Sequence, residues 1–394
     1  MATKILVVDD EPDLELLVRQ KFRKKIQENE IEFQFARNGV EALQKLYADT
    51  ELNIILTDIN MPEMDGLTLL SALPSLNRVY KAIVISAYGD MSNIRSAMNK
   101  GASDFIIKPI DFQDLEITIA KIIDQYNQLK EALAAKLRLI DIDKELEVAR
   151  KIQESMLPKS FESLPNRDKF ELYGKVFPAK EVSGDFFDYF KIDEQRFAFV
   201  IADVSGKSIS AALFMATSRA LIRYIGSKSA QSEEVLNKVN DMLCTNNDSC
   251  MFVTAFYGVF DTITGELQYC NAGHNPPYII SSRGSIQKIG TESGLAMGVL
   301  DSKDLANVIP YKKGAIKLSP GDKLLCITDG IVEAMRRDNA LYGEERLLKV
   351  LAEHGADSLQ EIAASIIEGV KDFTGDVAPS DDITMLMVKF LSGV

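Results

Sequence analysis

Acidic residues follow short apolar runs in the first 110 residues of this 394-residue chain. Asp9 and Asp10 follow Lys-Ile-Leu-Val-Val, and Asp58 follows Asn-Ile-Ile-Leu-Thr. Three carboxylates at one edge repel each other unless a hard cation lies among them, and oxygen ligands suit Mg²⁺. A carboxylate beside Mg²⁺ can attack a phosphoryl donor, because the metal offsets charge on the incoming group. The pattern predicts an aspartyl-phosphate site, in which Lys108 pairs with the new phosphate and Ser86 supplies a hydroxyl.

Five strand candidates alternate with helical patterns over the same region. The helical patterns cover 12–28, 39–47, 66–73 and 91–99, and the strand candidates are Lys4–Val8, Glu32–Ala36, Asn53–Leu56, Ala82–Ile85 and Asp104–Ile107. This alternation predicts an α/β domain with a five-stranded, parallel, doubly wound sheet. In such sheets the chemistry gathers at the carboxyl ends of the strands, where the acids and the lysine fall.

The stretches VVDDEP, TDINMPEMDG, ISAYG and DFIIKPI resemble the receiver domain of two-component response regulators. The resemblance implies a receiver domain over residues 1–124, charged by a sensor histidine kinase or another phosphotransfer donor. It also implies a cis Lys108–Pro109 bond. The resemblance makes Asp58 the phosphoacceptor. It makes Asp10, Asp58 and the Asn60 carbonyl the Mg²⁺ ligands, with Asp9 nearby. Ser86 and Lys108 would sense the phosphate, and Phe105 would be the switch aromatic, here without a hydroxyl.

A second set of aspartates is spread over the rear half of the chain. They are Asp185 in VSGDFFDYF, Asp203 in IADVSGK, Asp329 in ITDGIVEA, and Asp381 and Asp382 in PSDDITMLMV. Most lie beside apolar strand-like runs, so the fold would have to bring them together. An all-oxygen set of aspartates selects Mg²⁺ or Mn²⁺ over zinc. Two such ions can activate a bridging water and clamp a phosphoryl group without a covalent intermediate.

Other phosphoryl chemistries do not fit this sequence. No cysteine has an arginine six positions later, so a cysteine nucleophile with a phosphate loop is excluded. The chain has only two histidines, His274 and His354, which argues against histidine-rich metal or phosphohistidine sites. Gly206-Lys207-Ser208 resembles the end of a P-loop, but position 201 is Ile where that motif needs Gly.

The rear half groups strands with helix pairs, which predicts an α+β sandwich. Thr264-Gly265 separates two strand-like runs as a hairpin turn would. The predicted helices cover 208–224, 232–245, 344–353 and 358–372, and the predicted strands cover 170–178, 196–202, 252–260, 266–270, 323–328 and 383–390.

The aspartate motifs, together with NAGHNPPY, GLAMG, LSPGDKLLCITDG and ELEVARKIQESMLP, resemble the metal-dependent PPM phosphatases of the SpoIIE-like branch. The resemblance implies a phosphatase domain over 166–394 with two Mn²⁺ or Mg²⁺. Asp203 would bridge both ions, Asp185 and the Val204 carbonyl would lie on one side, and Asp329 and Asp381 would hold the other. Asp382 is the alternative to Asp381. His274 is either a structural turn residue, which we favour, or a substrate contact.

Between these regions, Asp111 to about Met156 contains no Gly or Pro and predicts one very long helix. We expect residues 125–165 to form a helical coiled-coil linker that pairs two chains as a parallel homodimer. The alternative is that the apolar stripe packs on its own phosphatase domain. The stripe shifts phase near 137–142, and its residues are Leu115, Ile119, Ile122, Tyr126, Leu129, Leu133, Leu137 and Ile140, then Ile142, Leu146 and Ala149.

Composition limits the location and the partners. The formal net charge of −13 argues against nucleic-acid binding, and no apolar run approaches the ~18 residues that span a bilayer. The four cysteines show no pairing pattern, and the N-terminus turns acidic after a very short apolar run. We expect a cytoplasmic protein that binds neither nucleic acid nor membrane.

These observations lead to a phosphatase hypothesis. A receiver-gated enzyme would remove phosphate from Ser or Thr of a protein partner, and the resemblance implies an anti-sigma-factor antagonist as that partner. The alternative is a catalytically silent adaptor that binds a signalling partner under receiver control. A transcription regulator is disfavoured, because the chain has no recognition helix and carries the wrong charge.

Overall fold

The structure, a computed structural model, describes residues 2–87, 90–245, 247–290 and 294–392. The chain folds as two compact units, the first ending at Ile142 and the second starting at Asp143. This division falls inside the segment 125–165 that the sequence marks as a linker. Tyr88 and Gly89 of the ISAYG stretch lie outside the described residues.

The first unit contains the predicted five-stranded parallel sheet, in the order β2-β1-β3-β4-β5. Each strand was predicted to within two residues at either end. The strands are β1 Thr3–Val8, β2 Ile31–Ala36, β3 Ile54–Asp58, β4 Lys81–Ala87 and β5 Asp104–Lys108. The helices are α1 Pro12–Lys21, α2 Arg23–Gln27, α3 Gly39–Ala48, α4 Gly66–Ala72 and α5 Met91–Asn99, followed by α6 Phe112–Met156.

Side chains of successive strand residues point to opposite faces of this sheet, and both faces are covered. Ile5 and Val7 of β1 share a core with α1 and the start of α6. Leu6 and Val8 of the same strand face α3, α4 and α5. The doubly wound arrangement predicted from the sequence is therefore confirmed.

One helix differs from the prediction. The pattern over 12–28 predicts a single helix, but α1 and α2 meet at Phe22, whose backbone has φ −93° and ψ 14°. The Phe22 ring is 2% exposed and lies 5.2 Å from the Phe33 ring. The chain leaves helical geometry at the residue whose side chain is buried in the core.

The long helix α6 begins in the first unit and ends at Met156, before Pro158. Leu115, Ile119 and Ile122 are at most 1% exposed and belong to the core of the receiver. These three residues are therefore not available to a second chain. The exposed part of the predicted dimer seam begins at Leu129, which is 45% exposed. Residues 157–165 of the predicted linker are not helical, because Pro158 cannot continue the hydrogen-bond pattern of the helix.

The second unit contains two antiparallel five-stranded sheets, in the orders β13-β10-β9-β8-β7 and β12-β11-β14-β15-β6. The predicted hairpin at Thr264-Gly265 joins β9 to β10. The strands of the first sheet are β7 Phe186–Lys191, β8 Arg196–Val204, β9 Val253–Asp261, β10 Glu266–Ala272 and β13 Lys313–Lys317. Those of the second are β6 Phe170–Phe177, β11 Tyr278–Ile280, β12 Ile286–Lys288, β14 Lys323–Ile327 and β15 Ile383–Phe390.

The two sheets pack face to face across an aromatic-rich core that includes Phe199 and Phe256 from one sheet and Leu386 from the other. Helices α7 Ile209–Gly226 and α8 Ser232–Cys244 cover the outer face of the first sheet. Helices α10 Gly343–His354 and α11 Leu359–Thr374 cover the outer face of the second, and the short helix α9 spans Ser302–Val308. The predicted α+β sandwich is confirmed.

Strand β7 was missed by the strand prediction, because Asp188 interrupts its aromatic sequence. The structure buries Asp188 completely. Arg223 makes two hydrogen bonds to its carboxylate from α7, and Arg219 Nη2 lies 3.2 Å from Asp188 Oδ2. A buried carboxylate is tolerated when it is paired in this way, so a charged residue can occupy a central position of a strand.

Among the described residues, no helix is both long enough and apolar enough to cross a membrane.

Candidate functional site

The parallel strands of the first unit bring three carboxylates together. Strand β1 pairs with β3 with Val8 opposite Thr57, so Asp9 and Asp58 lie at the same edge of the sheet. Carboxylate oxygens of Asp9, Asp10 and Asp58 all lie within 4.8 Å of one another. The backbone amides of Glu11 and Ile59 donate to Asp9 Oδ1 and Asp58 Oδ1, at 2.8 and 2.7 Å. An oxygen-rich cluster of this kind fits Mg²⁺.

Lys108, at the end of β5, closes this cluster. Its Nζ donates to Asp58 Oδ2 at 2.8 Å and to Asp9 Oδ2 at 3.2 Å. The Lys108–Pro109 bond is cis, as predicted. Burial raises the pKa of Asp9, although the Glu11 amide and Lys108 act in the opposite direction. Partial burial disfavours the charged form of Lys108, but the hydrogen bond to Asp58 and the two carboxylate charges raise its pKa overall.

The other predicted receiver residues surround the same edge. Ser86 is fully buried at the end of β4, and no hydrogen-bond partner for its Oγ occurs among the described residues. Phe105 is half-buried against the core on the α3–α5 face, and Asn60 is exposed in the bend after β3. A Cβ atom on Gly66 would lie 2.1 Å from the Asp58 carbonyl oxygen, so this position requires glycine for the chain to pass so close.

In the second unit, two pairs of antiparallel strands position the other aspartates. Strands β7 and β8 pair Phe186 with Ala202, so Asp185 and Asp203 lie one residue further on, at the open end. In the facing sheet, β14 and β15 pair Ile327 with Met385, and Asp329 follows β14 while Asp381 and Asp382 precede β15. Residues separated by nearly two hundred positions are thus gathered at one end of the sandwich.

Thr328 joins the two sheets at this end. Its Oγ1 donates to Asp185 Oδ2 at 2.7 Å and accepts from the Thr384 amide at 2.9 Å. Both threonines are fully buried. This hydrogen bond fixes Asp185, which belongs to the loop before β7, to the paired strands β14 and β15 of the other sheet.

Burial and mutual repulsion shift the pKa values of the acids at this site. Burial, and then repulsion from Asp329, raise the pKa of Asp203 to about 7. Burial and the charge of Asp203 raise the pKa of Asp185 well above its ordinary value, and burial with the charges of Glu333 and Asp381 raises that of Asp329. Carboxylates that suppress each other's ionisation in this way are stabilised by a bound cation. The oxygen-only donor set and its charge therefore fit divalent metal ions.

Lys207 is the cation that the structure places against these acids. Its Nζ lies 2.7 Å from Asp381 Oδ2 and 2.6 Å from the Ser380 carbonyl oxygen. The hydrogen bond that Lys207 donates to Asp381 raises the pKa of Lys207. A Cβ atom on Gly184 would lie 2.9 Å from the Val204 carbonyl oxygen, so that carbonyl faces the loop of Asp185.

The structure separates the roles of Asp381 and Asp382. Asp382 is 9% exposed, and its two oxygens accept from the Ala179 amide, the Ser183 hydroxyl and the Gly184 amide at 2.8 to 2.9 Å. Asp381 is half-buried and pairs with Lys207. Asp382 therefore holds the loop that carries Asp185, while Asp381 keeps its carboxylate toward the other acids.

Gln153 was missed by the sequence reasoning. This residue of α6 is 9% exposed, and its side-chain amide donates to the Ser183 carbonyl at 2.7 Å and accepts from the Ser183 amide at 2.9 Å. The end of α6 is thus attached to the loop two residues before Asp185. A signal was present, because Gln153 continues the stripe of Leu146 and Ala149 at a four-residue step, where a polar side chain is unexpected.

His274 lies inside the domain rather than on its surface. It is 4% exposed, and its Nδ1 lies 2.9 Å from Thr254 Oγ1 on β9. Within the part of the chain that the structure describes, its Nε2 has no hydrogen-bond partner. Burial lowers the pKa of His274 to about 4. The imidazole is neutral at pH 7 and occupies a packing position.

Comparison with known families agrees with this geometry. The family model for stage II sporulation protein E (SpoIIE) matches residues 193–391, just over half of the chain. The chain belongs to the SpoIIE family. A response regulator receiver domain matches residues 5–120. The SpoIIE match includes Asp203, Asp329 and Asp381, and it begins after Asp185.

Individual relatives cover parts of the chain. IcfG of Synechocystis is 29% identical over 66% of this chain, which spans 44% of IcfG. The phosphoserine phosphatase RsbU of Bacillus subtilis is 27% identical over 63% of this chain, which spans 71% of RsbU. The PP2C domain of SiaA from Pseudomonas aeruginosa, 21% identical, covers 64% of this chain and 98% of its own with a TM-score of 0.55. The rear unit is therefore a SpoIIE-type phosphatase domain with a PP2C fold.

Asparagine substitutions distinguish the two neighbouring aspartates of this SpoIIE domain. In metal-free buffer, Asp382→Asn should lower the free energy of unfolding by about 3 kcal/mol, because buried donors lose a charged acceptor. Asp381→Asn should change it by less than about 1 kcal/mol, because its ion pair with Lys207 is partly exposed. It should nevertheless weaken Mn²⁺ binding. Urea denaturation and calorimetric titration measure the two effects. Strong destabilisation by Asp381→Asn, with Mn²⁺ binding intact, would reverse the assignment.

The buried imidazole makes the stability of the domain depend on pH. The pKa of His274 is about 4 in the folded state and about 6.5 in the unfolded state. The unfolded state therefore takes up the proton first as pH falls. Above pH 6.5 the buried neutral histidine does not lower the free energy of unfolding. Between pH 6.5 and pH 4 the loss of stability grows as pH falls. From pH 7 to 5 the wild type should lose about 2 kcal/mol more than His274→Gln.

Denaturant unfolding of both proteins at each pH measures this difference, and the aspartates cancel because both proteins contain them. An imidazole NMR titration is the independent control, since His274 should not titrate above pH 5. Equal pH dependence in the two proteins would show that His274 is protonated without penalty.

Proposed function

We propose that this chain is a receiver-regulated phosphatase that removes phosphate from phosphoserine or phosphothreonine of a protein partner. The observation that carries the proposal is the meeting of Asp185, Asp203, Asp329 and Asp381 at one end of the two facing sheets, with the pKa values of Asp185, Asp203 and Asp329 raised by burial and by neighbouring charges. The likeness to the phosphoserine phosphatase RsbU supports the substrate class. All four acidic positions are filled, which argues against the catalytically silent adaptor.

The resemblance to PPM phosphatases implies the proposed metal ligands, and the raised pKa values of Asp185, Asp203 and Asp329 support them. Two Mn²⁺ or Mg²⁺ ions would share Asp203, with Asp185 and the Val204 carbonyl on one side and Asp329 and Asp381 on the other. Bound ions of this kind supply an activated water and neutralise phosphoryl charge. Thr328 orients Asp185, and Asp382 with Gln153 holds the loop that carries it. In the receiver, Asp9, Asp10, Asp58 and the Asn60 carbonyl would hold Mg²⁺ next to the acceptor Asp58.

The proposed partners act at the two ends of the chain. A sensor histidine kinase or another phosphotransfer donor charges Asp58, and Ser86, Phe105 and Lys108 respond to the phosphate. An anti-sigma-factor antagonist, the partner implied by the sequence resemblance, supplies the phosphoserine or phosphothreonine. All four cysteines are free thiols, which fits a protein that meets these partners in the reducing cytoplasm.

The proposed control runs through α6. Its exposed stripe, from Leu129 onward, is available to a second copy of the chain. Its last turns are attached through Gln153 to the loop of Asp185. The contacts of Gln153 offer a direct route from α6 to this loop. A change in the pairing of α6 would then act on a candidate metal ligand through Ser183.

Loss of Asp203 tests the phosphatase mechanism. Asp203→Ala should lower Mn²⁺-dependent hydrolysis of a phosphoserine protein by more than about 100-fold, because loss of an outer-shell partner already costs 10–100-fold. Asp185→Ala should cost less, since Asp203 serves both ions. The control is Asp193→Ala, which removes an exposed ion pair with Arg196 outside the site. Wild-type rates in Asp203→Ala, or in excess chelator, would refute the metal mechanism.

Receiver control and the dimer are tested in one design. Wild type, Asp58→Asn, the double variant Leu129→Glu with Leu133→Glu, and a polar-face control with Asn127→Glu and Ala134→Glu are each incubated with and without acetyl phosphate. Mass spectrometry should show one added phosphoryl group in all except Asp58→Asn. Sedimentation should show dimers in all except the Leu variant, because two charges in the seam oppose pairing.

The phosphatase rate should change on phosphorylation only in wild type and in the polar-face control. A Leu variant that is monomeric and still responds to acetyl phosphate would place the coupling outside the α6 seam. Phosphorylation of Asp58→Asn would move the acceptor to another residue, with Asp10 first.

A further inference from the structure

A small apolar cavity lies beside the acids of the phosphatase domain. It has a volume of about 110 Å³ and lies among β6, β15, α11 and the loop 378–381. Phe177, Ala334, Ile367, Val370 and Ile383 form much of its wall. The proposed mechanism uses none of these five side chains.

The cavity opens to solvent although its floor is buried. Ala334 and Val370 are 5% exposed and Ile383 is 8% exposed, whereas Ala378 and Pro379 at the mouth are exposed. An aliphatic group that entered would leave water and contact apolar walls, which is favourable. The site therefore suits an apolar group carried on a larger, water-soluble molecule.

The mouth of the cavity is continuous with the candidate metal site. Asp381 and Gly330, which directly follows Asp329, both line the cavity. Ser380 also lines it, and its carbonyl accepts from Lys207 at 2.6 Å. The ammonium group of Lys207 thus contacts two residues of the cavity wall, Ser380 and Asp381, and its charge is opposite to that of a phosphoryl group. In an extended peptide, side chains two positions apart lie on the same side, about 7 Å from each other. A peptide with its phosphoserine at the acids therefore brings the side chain two positions away to this mouth.

The volume restricts the occupant. Drug-sized ligands need pockets of about 300–1,000 Å³, and an engineered cavity of about 150 Å³ holds one benzene molecule. A cavity of about 110 Å³ therefore has room for one aliphatic side chain. We propose that it is a substrate subsite for a Val, Leu, Ile or Met side chain two positions before or after the phosphorylated residue. This inference rests on the proposed function and adds a sequence preference to it.

Peptide hydrolysis by the full-length wild-type protein tests the subsite. Phosphoserine peptides that carry Leu, Ala or Asp two positions before or two positions after the phosphoserine are compared in Mn²⁺, with p-nitrophenyl phosphate as a substrate without neighbours. Leu should raise kcat/KM over Ala by about tenfold or more at one of the two positions, mainly through KM. Equal kcat/KM for Leu and Ala at both positions would overturn the subsite. No hydrolysis of any substrate would count against the proposed function itself.

Variants in which a larger side chain fills the cavity provide a second test of the subsite. Ile367→Trp enlarges a half-buried wall residue, and the ratio of Leu to Ala peptide kcat/KM should then fall to about one. Ile309→Trp is the matched control at an exposed position in the same domain, and it should keep the wild-type ratio. Circular dichroism and thermal melts establish folding, and Thr374→Phe at the mouth replaces Ile367→Trp if that variant does not fold. A preference for Leu that survives in a folded, filled variant would refute the proposal.

Discussion

Repulsion between carboxylates at strand ends is the constraint on which both domains depend. In the receiver, Lys108 contacts Asp58 and Asp9 and offsets part of their charge. In the phosphatase domain, Lys207 reaches Asp381, while Asp185 and Asp203 lie against each other. Burial strengthens both effects, because charges interact more strongly away from water. Both sites thus gather acids at strand ends. The lysine lies inside the cluster in the receiver and at the margin of the cluster in the phosphatase domain.

A site under such repulsion needs a rigid frame, and the frame here consists of hydrogen bonds from neutral donors and of close backbone contacts. Thr328 links the two sheets, and Gly330 allows the chain to pass the Asp382 carbonyl oxygen, to which a Cβ atom would come within 2.0 Å. The Asp382 carboxylate accepts hydrogen bonds from backbone amides. These groups hold the acids without neutralising them, which keeps the metal affinity of the site available for metal.

Much of the fold was predictable from the sequence, because the strands of the receiver and most of those of the phosphatase domain carry periodic apolar residues. The exceptions have physical causes. Strand β7 was hidden by Asp188, whose arginine partners come from a distant helix. The stripe on α6 was assigned entirely to a dimer seam or to the phosphatase domain, yet Leu115 and Ile119 pack in the receiver core, and periodicity does not identify what covers a face. Adjacent residues such as Asp381 and Asp382 share one motif, and only their hydrogen bonds separate them.

The attachment of Gln153 to Ser183 also bears on how such chains exchange their input domains. The phosphatase domain includes the last turns of α6 in its own structure, so the helix does not end where the enzyme begins. Recombination that joined a new sensor domain after Gln153 would remove part of the catalytic frame, whereas a junction before Asp143 preserves it. A graft that keeps the segment after Asp143 should therefore preserve this frame, provided that the new domain supplies a helix in phase with Gln153.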